Sequence, residues 1–161
     1  MQQMNWNWIW NSKDGPRTIS CDRIDSKYVI WTDNDFLFSV LPMGSLAFPG
    51  LYEHCTRLCG SKFCFLIWEK KPELFIDGIS LEDGTEYRTR RNEILQKLLK
   101  CSLLQACAGL AAATLVALIH LLTRKGLYLI VPFLIGLAAI VLGIYRMIAV
   151  GKQINAGTDQ K

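Results

Sequence analysis

The C-terminal part of the chain has a hydrophobic pattern unlike that of the rest. Residues 101–122 contain no formally charged side chain, and a second uncharged run extends from Gly126 to Tyr145. At ~1.5 Å per residue the first run spans about 33 Å, enough to cross a hydrocarbon core of roughly 30 Å. Neither run has the polar face of a soluble helix. The pattern predicts a hairpin of two transmembrane helices, at 101–122 and 126–148, joined by a turn at 123–125.

Small residues recur on both predicted helices at the same spacing. Ala106 and Ala113 are seven positions apart, as are Gly136 and Gly143. If the hairpin folds about residues 124–125, Ala113 lies level with Gly136, and Ala106 lies level with Gly143. Small residues let helix backbones approach closely in lipid, so these four are predicted packing positions. The alternative is that Ala and Gly are simply frequent in membrane helices.

Residues 1–88 carry aromatic and β-branched runs bounded by turn residues, which predicts a small β-rich cytosolic domain. One hairpin is expected to pair 28–31 with 36–40, and another to pair 63–68 with 73–76. The Pro- and Gly-containing stretch 41–60 predicts a loop. An amphipathic juxtamembrane helix is predicted at 89–100, and residues 149–161 are predicted to form a cytosolic tail.

The distribution of Lys and Arg predicts the orientation of the hairpin, because cytosolic flanks are enriched in these residues. Only Arg124 and Lys125 lie in the predicted turn, whereas the outer flanks carry Arg88, Arg90, Arg91, Lys97, Lys100, Arg146 and Lys152. Both termini are therefore expected to be cytosolic. Arg146 is expected to extend its guanidinium to the lipid headgroups. The basic cluster adjoins the apolar block, which favours anionic lipid over nucleic acid as its partner.

Six cysteines are present, and the N-terminus has no basic region followed by an apolar run of signal-peptide length. Reduced thiols are therefore expected. One alternative is a metal- or redox-sensing module, because His54, Cys55, Cys59 and Cys64 are residue types that bind zinc, although they lack a distant second pair of ligands. Cys101 lies at the cytosolic end of a predicted membrane helix, where S-palmitoylation can occur.

Trp6, Trp8 and Trp10 alternate, so in an extended strand all three rings lie on one side. Two interpretations remain open. Trp is enriched at membrane interfaces, so the segment can dock on the cytosolic leaflet. Alternatively, the three rings cover the small β domain.

No Gly-rich phosphate loop, Gly-x-Ser-x-Gly elbow or His-Glu-x-x-His pair occurs in the sequence. Asp33 and Asp35 flank a predicted turn, which already accounts for them. The sequence therefore predicts no enzymatic activity and no cofactor.

The segment Tyr28-Val-Ile-Trp-Thr-Asp-Asn-Asp-Phe-Leu37, followed by a C-terminal two-helix segment, resembles the transmembrane protein 71 family. The resemblance covers about ten residues plus the architecture, and the long polar spacer associated with that family is missing here. It implies an integral membrane location and offers no catalytic residues to transfer.

These observations predict a non-enzymatic, multi-pass membrane protein. Its hairpin anchors a cytosolic module that binds a protein partner or the leaflet, and homo-oligomers can form. The segment Tyr87-Arg-Thr-Arg90 resembles an arginine-based endoplasmic reticulum retention signal, which favours the endomembrane system, although orientation already explains the same arginines. The other alternative is an oligomeric channel or transporter accessory subunit, suggested by Gln105, His120 and the small-residue faces.

Overall fold

The computed structural model describes residues 5–12, 15–33, 35–42, 45–58, 60–123 and 130–158, with backbone only for 120–123 and 156–158. The chain divides into two compact units. The first comprises Met1–Ser45 and Pro49–Arg91, and the second comprises Leu46–Phe48 and Asn92–Lys161.

The first unit is built from antiparallel sheet. Within the described residues it contains eight strands in two four-stranded sheets, each ordered as the strands follow in the chain. The first sheet contains β1 (Asn5–Ser12), β2 (Gly15–Ile24), β3 (Lys27–Thr32) and β4 (Asp35–Val40), and the second contains β5 (Leu51–Leu58), β6 (Ser61–Trp68), β7 (Lys71–Ile76) and β8 (Ile79–Ser80). Each sheet is a meander of neighbouring hairpins, which needs only short connections.

The core of this unit lies between the two sheets. Alternate residues of β1, β2 and β3 join alternate residues of β6 and β7 in one buried cluster. Rings meet across it, with centroids 5.8 Å apart for Tyr28 and Phe65 and 5.3 Å apart for Trp10 and Phe63. The sheets therefore pack face to face as a sandwich, and edge-to-face aromatic pairs fill much of its interior.

The second sheet is covered on its outer face as well. Cys64, Leu66 and Phe75 are buried although they alternate with the core residues of their strands. Phe75 contacts the ring of Tyr87, at a centroid distance of 5.2 Å. A strand buried on both faces has no polar positions to alternate with, which explains the unbroken apolar run in β6.

Within its described residues the second unit contains two long helices, α1 (Tyr87–Thr123), whose first turn belongs to the sandwich, and α2 (Ile130–Thr158). Both are long and apolar enough to cross a membrane, judged by length and composition. The segments predicted as a juxtamembrane helix and a first span are parts of α1, and α2 continues into the predicted tail. Pro132 lies in the first turn of α2, where a missing N–H breaks no helical hydrogen bond.

The prediction of a β-rich N-terminal region followed by two long apolar helices is confirmed in this coarse form. The two expected hairpins are β3–β4 and β6–β7. The loop predicted at 41–60 is wrong from Leu51 onward, because Leu51–Leu58 forms β5 and pairs along its whole length with β6. Gly60, with φ of 81°, lies in the tight turn between these strands.

Two hairpin turns use residues with positive φ at both central positions. Asp77 and Gly78 have φ of 51° and 87°, in keeping with the Asp-Gly preference of this turn type. Glu69 and Lys70, which connect β6 to β7, have φ of 51° and 69° although neither is Gly. The left-handed region costs a residue with a Cβ about 1–2 kcal/mol, so the β6–β7 turn is locally strained.

Lys70→Gly is expected to raise the free energy of unfolding of the sandwich, because the relieved left-handed strain of about 1–2 kcal/mol exceeds the roughly 0.5–1 kcal/mol that Gly loses through its freedom in the unfolded chain. All five tryptophans lie in the sandwich strands, so the urea midpoint followed by tryptophan fluorescence in detergent reports this unit. Lys71→Gly is the matched control; it lies in β7 and is expected to lower the midpoint. A lower midpoint for Lys70→Gly would contradict the assignment of strain.

Candidate functional site

The two helices meet along a seam of small residues. A Cβ added at Gly136 would lie 3.2 Å from the backbone nitrogen of Ala113, and one added at Gly143 would lie 3.0 Å from that of Ala106. One added at Gly109 would lie 2.8 Å from the carbonyl oxygen of Gly136. The α1 and α2 backbones are therefore in contact, and this approach leaves no room for a Cβ at Gly109 and Gly143 and only a tight fit at Gly136.

Both residue pairs that the seven-residue spacing predicted to be level are in contact along the seam. Ala113 lies against Gly136, and Ala106 lies against Gly143. Sequence reasoning missed Gly109, although a signal was present. Gly109 is three residues after Ala106 and four before Ala113, which is the spacing of neighbours on one helix face.

Large aliphatic side chains occupy the surface of both helices away from the seam. Leu104 is 72% exposed on α1, and Ile135 is 65% exposed on α2. Further exposed aliphatics on both helices are Leu103, Leu110, Leu115, Leu118, Val131, Leu134, Leu137, Val141, Ile144 and Ile148. A continuous apolar exterior of this kind requires an apolar environment or a covering partner.

Arg146 is bonded within the helical unit. Its Nη1 donates to Oε1 of Gln105 at 2.7 Å, and its Nε donates to the carbonyl oxygen of Leu46 at 2.8 Å. The expectation that Arg146 extends to headgroups needs correction, because two of its donors are used by protein acceptors. Gln105 is the partner of this cation, and the side chain of His120 lies outside the described residues.

The basic residues at the start of α1 are ion-paired with the sandwich. Nε of Arg90 lies 2.8 Å from Oε2 of Glu73, and Nε of Arg91 lies 2.8 Å from Oε1 of Glu53. Arg90 also reaches Asp83 at 2.9 Å. The backbone N–H of Thr85 donates to the Asp83 carboxylate and holds the pKa of Asp83 below its usual value, so this partner stays charged.

These pairs bear on the retention-signal interpretation of Tyr87-Arg-Thr-Arg90. Arg90 is engaged by two carboxylates, and Tyr87 packs on Phe75 in the first turn of α1. The segment is therefore part of the folded unit, and its arginine and tyrosine have structural roles.

The three alternating tryptophans of β1 lie on the core side of the sandwich. Trp8 is only 7% exposed, and Trp6 and Trp10 pack against the same cluster. Trp6 contacts Tyr28 with ring centroids 6.0 Å apart. The interpretation of Trp6, Trp8 and Trp10 as a membrane-docking face is wrong, because the rings cover the β core.

Cys55 and Cys64 are joined by a disulfide, so the expectation of reduced thiols is wrong for this pair. They lie opposite each other in the β5–β6 ladder with Cα atoms 4.1 Å apart, near the spacing of a non-hydrogen-bonded pair. His54 points to the other face of β5 and contacts the ring of Phe38. The proposed zinc set of His54, Cys55, Cys59 and Cys64 is not assembled, because His54 faces away from the two bonded sulfurs; Cys59 lies outside the described residues.

The cysteines described as free differ in environment. Cys21 is fully buried in the core, and burial raises the pKa of its thiol to about 12. Cys101 and Cys107 are exposed on α1. The assignment of Cys101 as a palmitoylation site stays a prediction.

A cavity of about 490 Å³ opens at the sandwich end that carries the β6–β7 turn, within the size range of small-molecule sites. Tyr28 forms part of its wall and donates from its hydroxyl to the carbonyl oxygen of Lys70 at 3.3 Å. The guanidinium of Arg23 lies over the Tyr28 ring, 5.8 Å from its centroid. These polar groups are thus engaged in holding the wall together.

The chain matches no known protein family, no curated protein and no solved structure. The resemblance of residues 28–37 to the transmembrane protein 71 family therefore stays a prediction. In the structure this segment forms β3 and the beginning of β4, with Asn34 outside the described residues.

Gly143→Leu is expected to destabilise the helical unit by about 1–3 kcal/mol, because the new side chain would overlap Ala106 and the Ser102 carbonyl. Helical circular dichroism in detergent, followed against temperature, measures the effect as a lower melting midpoint. Gly151→Leu is the matched control on α2, since a Cβ there meets nothing within 4 Å. Equal midpoints for the two variants would contradict the seam.

Thiol labelling of protein isolated without reductant is expected to leave Cys55 and Cys64 unmodified even in denaturant, and to modify both after reduction. Cys21 should react only after unfolding. Raising the pH from 7 to 9 should not make the folded protein react at Cys21, because its thiol stays protonated below a pKa of about 12. Mass spectrometry identifies the labelled residues. Cys64→Ser should free the exposed Cys55 for labelling in the native state, and native labelling of Cys55 in the wild type would refute the disulfide.

Proposed function

We propose that this protein is a non-enzymatic integral membrane protein in which the α1–α2 hairpin anchors a β-sandwich interaction module. The observation that carries the proposal is the division of each helix surface. Small residues form the contact between helices, and large aliphatics such as Leu104 and Ile135 face outward. This arrangement suits lipid, where close packing holds helices together and apolar side chains are the favoured exterior.

The proposed orientation places both termini in the cytosol, at an endomembrane. Seven basic residues flank the outer ends of the hairpin, against Arg124 and Lys125 in the turn. The Cys55–Cys64 disulfide is the observation that opposes this placement, because reducing compartments keep thiols free. A topology experiment therefore tests the orientation and the compartment together.

The proposed role of the sandwich is to bind a protein partner. Its ion pairs at Glu53, Glu73 and Asp83 are used to hold the start of α1, which is a structural use of charge. Its surface displays large apolar side chains, including Ile9, Phe36 and Leu41. Ile9 lies on β1 and Phe36 on β4, the two edge strands of the first sheet, so both edges offer an accessible apolar side chain to a protein partner.

Two other candidates have less support. Binding of the membrane leaflet through the tryptophans is not supported, because Trp8 is buried and Trp6 and Trp10 pack against the core. An oligomeric channel is suggested by Gln105, by small-residue faces and by His120, whose side chain lies outside the described residues. Gln105 now binds Arg146, and the small residues are used between α1 and α2 of one chain.

Membrane anchoring is tested by alkaline carbonate extraction of membranes from cells that express the full chain. The protein is expected to stay in the pellet. Ile135→Lys/Val141→Lys, which places two charges on the outer face of α2, is expected to shift it toward the supernatant, because each charge at mid-bilayer costs about 2.5–3.5 kcal/mol. Ile24→Lys on the sandwich is the matched control and should stay in the pellet.

Protease protection with tags at the N-terminus, after Thr123 and at the C-terminus determines the orientation. The expected result is digestion of both terminal tags and protection of the tag in the turn. Protected termini would place the sandwich in an oxidising lumen and contradict the proposed orientation, while leaving the anchor intact. Release of the wild type by carbonate would contradict the anchor itself.

A further inference from the structure

The outer edge of β1 is a long strand edge with no strand beside it among the described residues. β1 is the first strand of its sheet and pairs with β2 over all eight of its residues. Natural sheets protect such edges with charge, proline or a bulge. The sequence Asn-Trp-Asn-Trp-Ile-Trp-Asn-Ser has no charge and no proline, and its register with β2 is unbroken.

The hydrogen bonds of β2 show which β1 residues present backbone groups at this edge. Thr18 lies opposite Ile9, and its N–H and C=O both bond to Asp33 on the far side of β2. Thr18 and Ile9 are therefore a non-hydrogen-bonded pair, and the N–H and C=O of Ile9 point away from β2. By alternation, Asn5, Asn7 and Asn11 also present their backbone groups at the free edge.

The same four residues have exposed side chains on the outer face of the sheet. Ile9 is 70% exposed, and the three asparagines are exposed beside it. The edge thus offers unpaired backbone donors and acceptors together with an uncharged outer face. A backbone in the extended conformation is the ligand that satisfies such an edge.

The sequence of β1 is nearly the same in both directions about Trp8. Reading outward from Trp8, Trp6 matches Trp10 and Asn5 matches Asn11, and only Asn7 and Ile9 differ. Antiparallel pairing of two identical strands centred on Trp8 would therefore place like residues opposite each other. Since β1 carries no charge, no like charges would oppose one another in that pairing.

We propose that the free edge of β1 binds β1 of a second copy of this chain, antiparallel, with Trp8 opposite Trp8. In this register Asn5 lies opposite Asn11 and Asn7 lies opposite Ile9, and all four edge residues exchange N–H···O=C bonds with the other copy. The two four-stranded sheets then form one continuous sheet across a twofold axis. The inference rests on the proposed interaction role of the sandwich and names its partner.

The proposed register can be tested by introducing charges at Asn7 and Ile9, because these exposed residues would face each other across the pairing and lie outside the core. In Asn7→Lys/Ile9→Lys, each new lysine faces a lysine of the other copy, so the pairing should be lost. In Asn7→Glu/Ile9→Lys, each glutamate faces a lysine, so the pairing should be retained. Ile24→Lys is the matched control, because it also replaces an exposed isoleucine of the sandwich by lysine but lies outside β1.

The measurement is the protein mass of the full-length chain in detergent micelles, by size-exclusion chromatography with light scattering. The wild type, the Glu/Lys variant and Ile24→Lys are expected at the mass of two chains, and the Lys/Lys variant at the mass of one. A monomeric wild type, or the same mass for the Lys/Lys and Glu/Lys variants, would overturn the inference. Neither result bears on carbonate extraction, so failure of the pairing and failure of the anchor are distinguishable.

Discussion

Contact between the α1 and α2 backbones is the constraint on which the helical unit depends. The approach leaves no space for a Cβ at Gly109 and Gly143 and little at Gly136, so small residues lie inward and the large aliphatics outward. Dispersion contacts along this tight seam then contribute to holding the two helices together. Within the same unit the Arg146 guanidinium donates a hydrogen bond from α2 to Gln105 on α1, which adds a polar contact between the two helices.

The sandwich, by contrast, is held together by large aromatic side chains packed between and against its sheets. The tryptophans of β1 lie in or against the core between the two sheets. The outer face of the second sheet is also buried, and there Phe75 packs against Tyr87. Salt bridges from Arg90 to Glu73 and from Arg91 to Glu53 join the beginning of α1 to β7 and β5. The ring of Tyr87 and the guanidinium groups of Arg90 and Arg91 therefore all attach the beginning of α1 to the second sheet. Arginines that appear in the sequence only as a basic cluster thus have a structural role in the fold.

The two units suggest a division of roles. An apolar helical pair is suited to anchoring, and the small sandwich, whose β1 edge is uncharged and has no neighbouring strand among the described residues, is suited to recognition. The disulfide between Cys55 and Cys64 links the sandwich to its cellular compartment, because the bond persists only where the surroundings are oxidising. The compartment of the sandwich therefore determines both the redox state of this cysteine pair and the partners available to it.

The sequence by itself determined the features that depend on local pattern. Uncharged length predicted the two helices, seven-residue spacing placed Ala106 and Ala113 level with Gly143 and Gly136, and turn residues located two of the hairpins. Only the tertiary structure decided which face each strand buries, and hence that Trp8 lies in the core, that His54 and Cys55 point apart, and that β5 is a strand. The physical reason is that these outcomes depend on pairing with residues distant in the chain, and periodicity within one segment reports a shared face without reporting what covers it.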